Sequence, residues 1–249
     1  MKKIILTNLC YLGWLFSYLQ AQQVDHQAVL LLDRMSDLLG ELKSCQFHVF
    51  TSQDEWVEDK GLTKAFRSHE VYMVGPDKMH IRTESKEGQL GIWHHGDLLL
   101  FYNLTTNQYG FIETPENIPD AIDFVNQEYD IEFPAADFFY PAFTDDLIET
   151  HHTISYMGLV KLEGKQAHHI VAYGEETNVQ IWFSNDTFTL PLRYVIHDLQ
   201  SSHTLQFEGV FSNWVLNPDL PDAIFDFTVP ETATRMQILS KSSTYSNEN

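Results

Sequence analysis

Between Asp25 and Leu42 the apolar positions Ala28, Leu31, Leu32, Met35, Leu38, Leu39 and Leu42 recur at steps of three and four. That spacing puts them on one face of an α-helix, with Asp25 as its N-cap and Gly40 near its end. Beyond it the pattern changes to short alternating or β-branched and aromatic runs. These are separated by turn signals such as Gly75-Pro76-Asp77, His95-Gly96-Asp97, Asn107, Glu163-Gly164-Lys165 and Gly174. About eleven strands are expected, near 45–57, 61–74, 78–85, 90–95, 97–103, 108–113, 151–162, 165–173, 178–184, 190–198 and 203–216. The short connections imply an antiparallel meander.

The meander is interrupted at residues 115–150. Pro119 and Asp120 stand at a helix start, followed by Ile122, Val125 and Tyr129, so one helix is expected over about 118–129. A second short helix is expected near Ala135 to Tyr140, with proline bounding each. The fold class is therefore mainly β with helices (α+β). It is a strongly curved antiparallel sheet or incomplete β-barrel, with helices covering the concave face. No linker or repeat divides the chain, so residues 22–239 are read as a single half-barrel domain.

The two ends read differently. Lys2 and Lys3 precede an apolar run from Ile4 to Leu19, and Ala21 offers a small residue before Gln22, the order of a secretory signal peptide cleaved after Ala21. The run is too short for a spanning helix, so an exported protein without a membrane span is expected. From Ser240 onward, "SKSSTYSNEN" has too little apolar surface to offset ordering entropy and is expected to be disordered.

Composition narrows the partners. The chain has 249 residues, 43% of them apolar, and a formal charge of −20, which becomes −22 once Lys2 and Lys3 are removed. Such a surface repels phosphate backbones, which argues against nucleic acid. Only Cys45 remains after cleavage, so no intramolecular disulfide forms within the mature chain. It is expected to be a small buried hydrophobe.

The stretch "NWVLNPDLPDAIFDFTVPE" (213–231) closes the strand region. Phe207, Phe211 and Val215 are expected on one face, Asn217-Pro218 ends the strand, and Pro230 stops the ladder. This ending resembles the family of predicted periplasmic proteins called domain of unknown function twenty ninety-two. "LLLDRMSDLLGELKSCQFHV" is similar to that family's opening helix and first strand. "YDIEFPAADFFY" is similar to its mid-chain motif, and "QIWFSNDTFTLPLRYVI" to its strand, turn and Pro-Leu-Arg strand. The matches run from about Leu30 to Leu239. The resemblance implies an architecture like that of the periplasmic lipoprotein carriers, the Lol carrier and its receptor, in which an incomplete barrel with a helical lid encloses an apolar cavity. No position matches those carriers' lid-holding arginine or protruding leucine, so cargo identity does not carry over.

Candidate chemistry is sparse. The pairs His94-His95, His151-His152 and His168-His169 invite a metal. On a strand, however, neighbours point to opposite faces, so each pair offers one ligand to a given site. They are read as exposed strand histidines, with no metal and no cofactor. Asp145-Asp146 and Glu175-Glu176 are read as solvated turn residues rather than paired acid and base. No nucleophile elbow, phosphate loop or dinucleotide fingerprint occurs, and a hydrolase is the least favoured reading.

Alternation in the strands nominates Phe47, Val49, Ile92, Ile181, Phe183, Tyr194, Ile196, Phe207 and Phe211 as the concave wall. Phe183, Ile196 and Phe211 are expected opposite Trp182, Arg193 and Trp214. Arg193 is the candidate anchor for an anionic head group, although alternation favours an outward position paired with an acid. Two functions are weighed. One is a periplasmic carrier or sensor holding an apolar ligand, such as an acyl chain, lipid or lipidated protein. The other is an interaction module with a filled core that docks an envelope protein.

Overall fold

A computed structural model describes residues 22–241. The expected leader at 1–21, and the expected disordered tail from Ser240 apart from Ser240 and Lys241, lie outside the described residues. Helix α1 spans His26–Gly40, and the Asp25 carboxylate accepts from the Gln27 amide at 2.8 Å, as its N-cap position requires. Ala28, Leu32 and Met35 are fully buried on one face, with Leu39 nearly so.

A first meander follows, made of β2 (Ser44–Val57), β3 (Gly61–Val74), β4 (Lys78–Ser85), β5 (Gly88–His95), β6 (Leu98–Asn103) and β7 (Gln108–Glu113). The second contains β8 (His151–Leu162), β9 (Lys165–Gly174), β10 (Thr177–Ser184), β11 (Pro191–Asp198) and β12 (Gln206–Leu216). The last strand of the second meander pairs antiparallel with the first strand of the first, so β12 beside β2 joins the halves into one open, curled sheet. Asn217 secures that junction: its amide donates to the Ser44 carbonyl at 2.9 Å and its side-chain oxygen accepts from the Lys43 amide at 2.8 Å.

The sheet has thirteen strands rather than about eleven. The additional two are two-residue parallel edge pairings, β1 (Gln23–Val24) on β8 and β13 (Thr234–Arg235) on β7. Both are too short to carry an alternation signal. After β12 the chain crosses the outer face, where Lys78 pairs with Asp222 at 2.7 Å and Phe227 stacks on Trp93 at 4.2 Å. It then rounds the β7 edge, and Ile238 closes over Gly110, where an added Cβ would lie 2.9 Å from its side chain.

The mid-chain insertion supplies the cover. Helix α2 spans Ile118–Tyr129, as its pattern predicts, and the Asn117 side chain caps it by accepting from the Asp120 amide at 2.9 Å. The expected second helix is a 3-10 turn at Ala136–Phe139. A further helix, α3 (Phe143–Thr150), is not expected from the sequence pattern. It is eight residues long and has no side-chain cap, so its start signal is weak. Asp145 and Asp146 thus sit in the first turn of α3, where the helix dipole favours acids, and not in a loop. Helix α1 packs on α3, on the 3-10 turn and on β8.

One phase error occurs in β12. The register shifts between Ser212 and Val215, and Asn213 takes φ 56°, a bulge conformation that asparagine tolerates. Trp214 therefore turns to the covered side, stacking on Phe47 at 4.5 Å and lying 5.5 Å from Phe211, while Val215 is 44% exposed. The expected opposition of Phe211 to Trp214 and the expected inward Val215 are both reversed by this one inserted residue.

Candidate functional site: a cavity between sheet and lid

Cross-strand register lines up rows of side chains beneath the lid. One row runs Phe47, Val71, Ile81, Ile92 and Phe101 across β2 to β6, all buried. The next comprises Phe211, Val49, His69 and Thr83. Two more follow toward the β2–β3 turn: Tyr194, Gly209, Thr51, Arg67, and then Ile196, Phe207, Gln53, Ala65. The covered face thus passes from wholly apolar to mixed along the same strands.

Over the apolar end the lid is tight. Phe139 stacks on Phe47 at 5.6 Å, and Phe138 meets Phe211 edge-on at 5.5 Å and Tyr194 at 5.2 Å. Over the mixed end it stands off and leaves a cavity of about 880 Å³. Its floor is Thr51, Gln53, Arg67, His69, Tyr194, Ile196 and Phe207. Its roof is Ile122, Asp123 and Asn126 of α2 together with the connection from Asp130 to Asp137, Tyr140 and Asp146. The Tyr194 ring lies against Gly209 so closely that a Cβ there would come within 2.1 Å of it.

The lid is tied at two points beside the cavity. The Tyr140 hydroxyl donates to Asp123 Oδ1 at 2.6 Å, joining the 3-10 turn to α2, and burial followed by that bond pushes the phenol well above its ordinary range. Lys241 reaches from the strap around β7 to Asp130 Oδ1 at 2.9 Å and to the Asn126 carbonyl at 3.2 Å, gripping the end of α2.

The cavity is electrically divided. The roof carries Asp123, Asp130, Glu132, Asp137 and Asp146, all of them solvent-exposed. The floor carries Arg67, whose Nη1 donates to Gln53 Oε1 at 3.4 Å. Behind Arg67, His69 is 6% exposed and bridges Thr51 at 3.1 Å and Thr83 at 2.9 Å. Burial, then the charge of Arg67 and of His48, lowers it to about 4, so it is neutral at neutral pH.

Of the nine nominated wall residues, Tyr194, Ile196 and Phe207 line the cavity. Phe47, Val49, Ile92, Ile181, Phe183 and Phe211 are buried in the filled core, with Phe139 of the lid over Phe47 and Phe138 against Phe211. Arg193 does not face the cavity. It pairs on the outer face with Glu163 at 2.7 Å and Glu208 at 3.5 Å, as alternation with the inward Tyr194 requires. The sequence pattern does not nominate Thr51, Gln53, Arg67 and His69. Their positions at i, i+2 on β2 and β3, continuing inward from Phe47 and from Val71, carry the signal, but a search for an apolar wall passes over polar side chains.

The histidines are corrected too. His94 and His151 are buried, not exposed; His94 Nε2 faces the Pro115 carbonyl at 3.3 Å and His151 Nδ1 the Leu147 carbonyl at 3.1 Å. Burial lowers both, so neither is charged at neutral pH. His169 stacks on Trp182 at 4.4 Å. Among the described residues no three His, Cys, Asp or Glu side chains come together in a metal-holding group. Cys45 is buried, and its thiol is pushed up to about 12 by burial, which suits a core residue and not a nucleophile.

An open curled sheet roofed by helices over a half-open cavity defines the class of incomplete-barrel proteins. The chain belongs to the family described as predicted periplasmic protein DUF2092, whose model matches residues 28–239. That description gives its compartment as the periplasm, and no helix among the described residues is long and apolar enough to cross a membrane. A search of curated proteins finds no match. Among solved structures the chain is similar to an uncharacterized conserved protein from Thermus thermophilus (13% identity, 84% of this chain and 98% of that one, TM-score 0.48). It is also similar to the Mycobacterium tuberculosis lipoprotein LppX (13%, 79% and 99%, TM-score 0.48). A third likeness is to the LolA superfamily protein NE2245 from Nitrosomonas europaea (12%, 80% and 97%, TM-score 0.37). These are distant likenesses of shape and bring no ligand with them.

Proposed function

We propose that the protein is a non-enzymatic periplasmic binding protein that holds an acyl chain between its sheet and its helical lid. The observation that carries this reading is the cavity of about 880 Å³ with Ile122, Ile131, Phe133, Tyr194, Ile196 and Phe207 on its walls. Small-molecule sites take the form of clefts of this size that combine apolar walls with placed polar groups, and here the apolar side chains share the cavity with a polar lining of about equal extent.

Native mass spectrometry of protein purified from its own periplasm tests the reading. A bound single-chain or double-chain amphiphile is expected. Protein that is ligand-free and also takes up no neutral monoacylglycerol in solution overturns it.

A second reading has one observation behind it. Phe50 and Phe66 stack at 5.8 Å on the outer face while remaining 42% and 51% exposed, the kind of apolar patch on which a protein docks. It concerns the opposite side of the sheet and is compatible with an occupied cavity.

A further inference from the structure

The open sheet has two edges, and the chain treats them differently. At β7 the strap runs alongside: Thr234 and Arg235 pair with Gln108 and Tyr109, the Met236 amide donates to the Tyr109 carbonyl at 2.7 Å, and Ile238 lies over Gly110. At β8 only the root is covered. There β1 pairs with Thr153 and Ile154, the Asp25 amide donates to the Ile154 carbonyl at 2.9 Å, and the chain then leaves for α1. Beyond Ile154, among the described residues, nothing pairs with the outer side of β8 as far as its end at Leu162.

The direction of the free backbone groups follows from the turn. Glu163 and Gly164, both at positive φ, make a two-residue hairpin loop, which sets Leu162 and Lys165 opposite each other as a bonded pair. By alternation Val160 also bonds to β9, whereas Leu159 and Lys161 turn their N–H and C=O groups away from it, toward the open edge. A row of unpaired groups of this kind is a template for another strand.

The surroundings of the edge are apolar and free of acid. Met157 and Leu159 are 53% and 48% exposed. Met157 opens onto a groove of about 420 Å³ on the outer face, shared with Val171, Tyr173 and Leu199. A Cβ added at Gly158 would meet nothing within 4 Å, so the space beside the strand is clear. In a chain with 35 acidic residues, the twelve residues of β8 include none. Glu163 at its end is taken by Arg193 at 2.7 Å, while the exposed Lys161 and Lys165 make no ion pair among the described residues.

From the open edge, the groove beside it and the unpaired lysines, we propose that β8 docks an extended segment of another envelope protein as an added strand. The segment is apolar at alternate residues, filling the groove beside Met157, and carries a carboxylate to meet Lys161. Main-chain hydrogen bonds to Leu159 and Lys161 supply affinity, and side chains on alternate faces supply selectivity. A second copy of this chain is the poorer occupant. Pairing two β8 edges brings together two chains of formal charge −20 and offers Lys161 no acid, because β8 has none. Lys161 and the bulge between Tyr156 and Gly158 are devices that keep like edges apart. The site lies outside the cavity and is independent of its contents.

Fluorescence anisotropy with a labelled peptide, Glu-Val-Thr-Val-Thr-Val-Thr-Glu, tests this; a glutamate at each end serves either strand direction. Binding is expected, with slowed amide hydrogen exchange at Leu159 and Lys161. Lys161→Pro removes an edge-facing N–H and no bond to β9, so the melting temperature should hold while affinity falls about fivefold, the effect of one backbone hydrogen bond. Lys161→Glu should weaken the same peptide about fivefold at low salt and prefer a counterpart ending in lysines, a reversal that also shows the variant to be folded. Absence of binding to the wild type, or binding that both variants leave unchanged, overturns the proposal. So does a wild-type dimer in sedimentation that protects the same two amides without peptide, which would make the partner a second copy.

Discussion

The filled and the open ends of the covered face share their strands. On β2, Phe47 lies under Phe139 and Val49 is fully buried, and two and four residues beyond Val49, Thr51 and Gln53 floor a cavity. On β12, Phe211 is core and Phe207 is cavity wall; on β3, Val71 is core and Arg67 is cavity floor. Alternation is identical in both ends, so the difference comes from the lid. Phe138 and Phe139 reach down onto one end, whereas the acidic connection from Asp130 to Asp137 bridges the other. A half-barrel of this kind divides its labour along its strands, one end supplying stability and the other space.

Substitutions that probe each end should behave differently. Phe47→Ala removes a ring in contact with Phe139, Phe211 and Trp214 and should destabilise by about 3–5 kcal/mol in denaturant unfolding, since rigid aromatic neighbours cannot collapse into the hole. A loss comparable to a surface change would show that the filled end is not tightly packed.

Acid should act at the boundary between the ends. His69 is ordinarily half-protonated at 6.5 and is lowered to about 4 in the fold, so the folded state favours the neutral ring. The stability this contributes is full above about 6.5, falls as pH drops toward about 4, and is gone below, on the order of 3 kcal/mol in all. Comparing the pH dependence of unfolding for wild type and His69→Gln isolates it, because the other lowered histidines are common to both. Parallel curves would contradict the assignment.

Gly209→Ala addresses the same boundary by sterics. The new Cβ would meet the Tyr194 ring at 2.1 Å, and displacing that ring from Phe138 should cost about 1–3 kcal/mol. Rescue by Tyr194→Leu in the Gly209→Ala background would confirm the ring as the obstacle, and failure of that rescue would place the strain elsewhere.

The smallest effect on stability is expected in the open end. Ile196→Trp should change the unfolding free energy by less than about 1 kcal/mol, because the ring enters existing space, yet it should abolish binding of an alkyl fluorescent probe. A marked fall in melting temperature with no probe binding in wild type would show that the open end is filled after all.

Much of this molecule is readable along the chain. The three-four spacing from Ala28 to Leu42 and the Asp25 cap define α1, Pro119 with Asp120 marks the start of α2, and strand limits from β2 to β12 follow turn residues closely, because these features are set by local geometry and nearest neighbours. The family resemblance, carried by four motifs in order, is borne out over residues 28–239. The pairing of β12 with β2, the edge strands β1 and β13 and the strap ending at Lys241 depend on contacts between segments far apart in sequence, on which local periodicity is silent. So does the division of the wall. Alternation says that Phe47 and Phe207 share a face, but whether a face is filled or hollow is decided by what the rest of the chain lays over it. The same limit hides Arg67, since an arginine on a strand looks like a surface residue until the lid roofs it, and it reverses Trp214 and Val215, since one bulged residue at Asn213 shifts every later side chain to the other face.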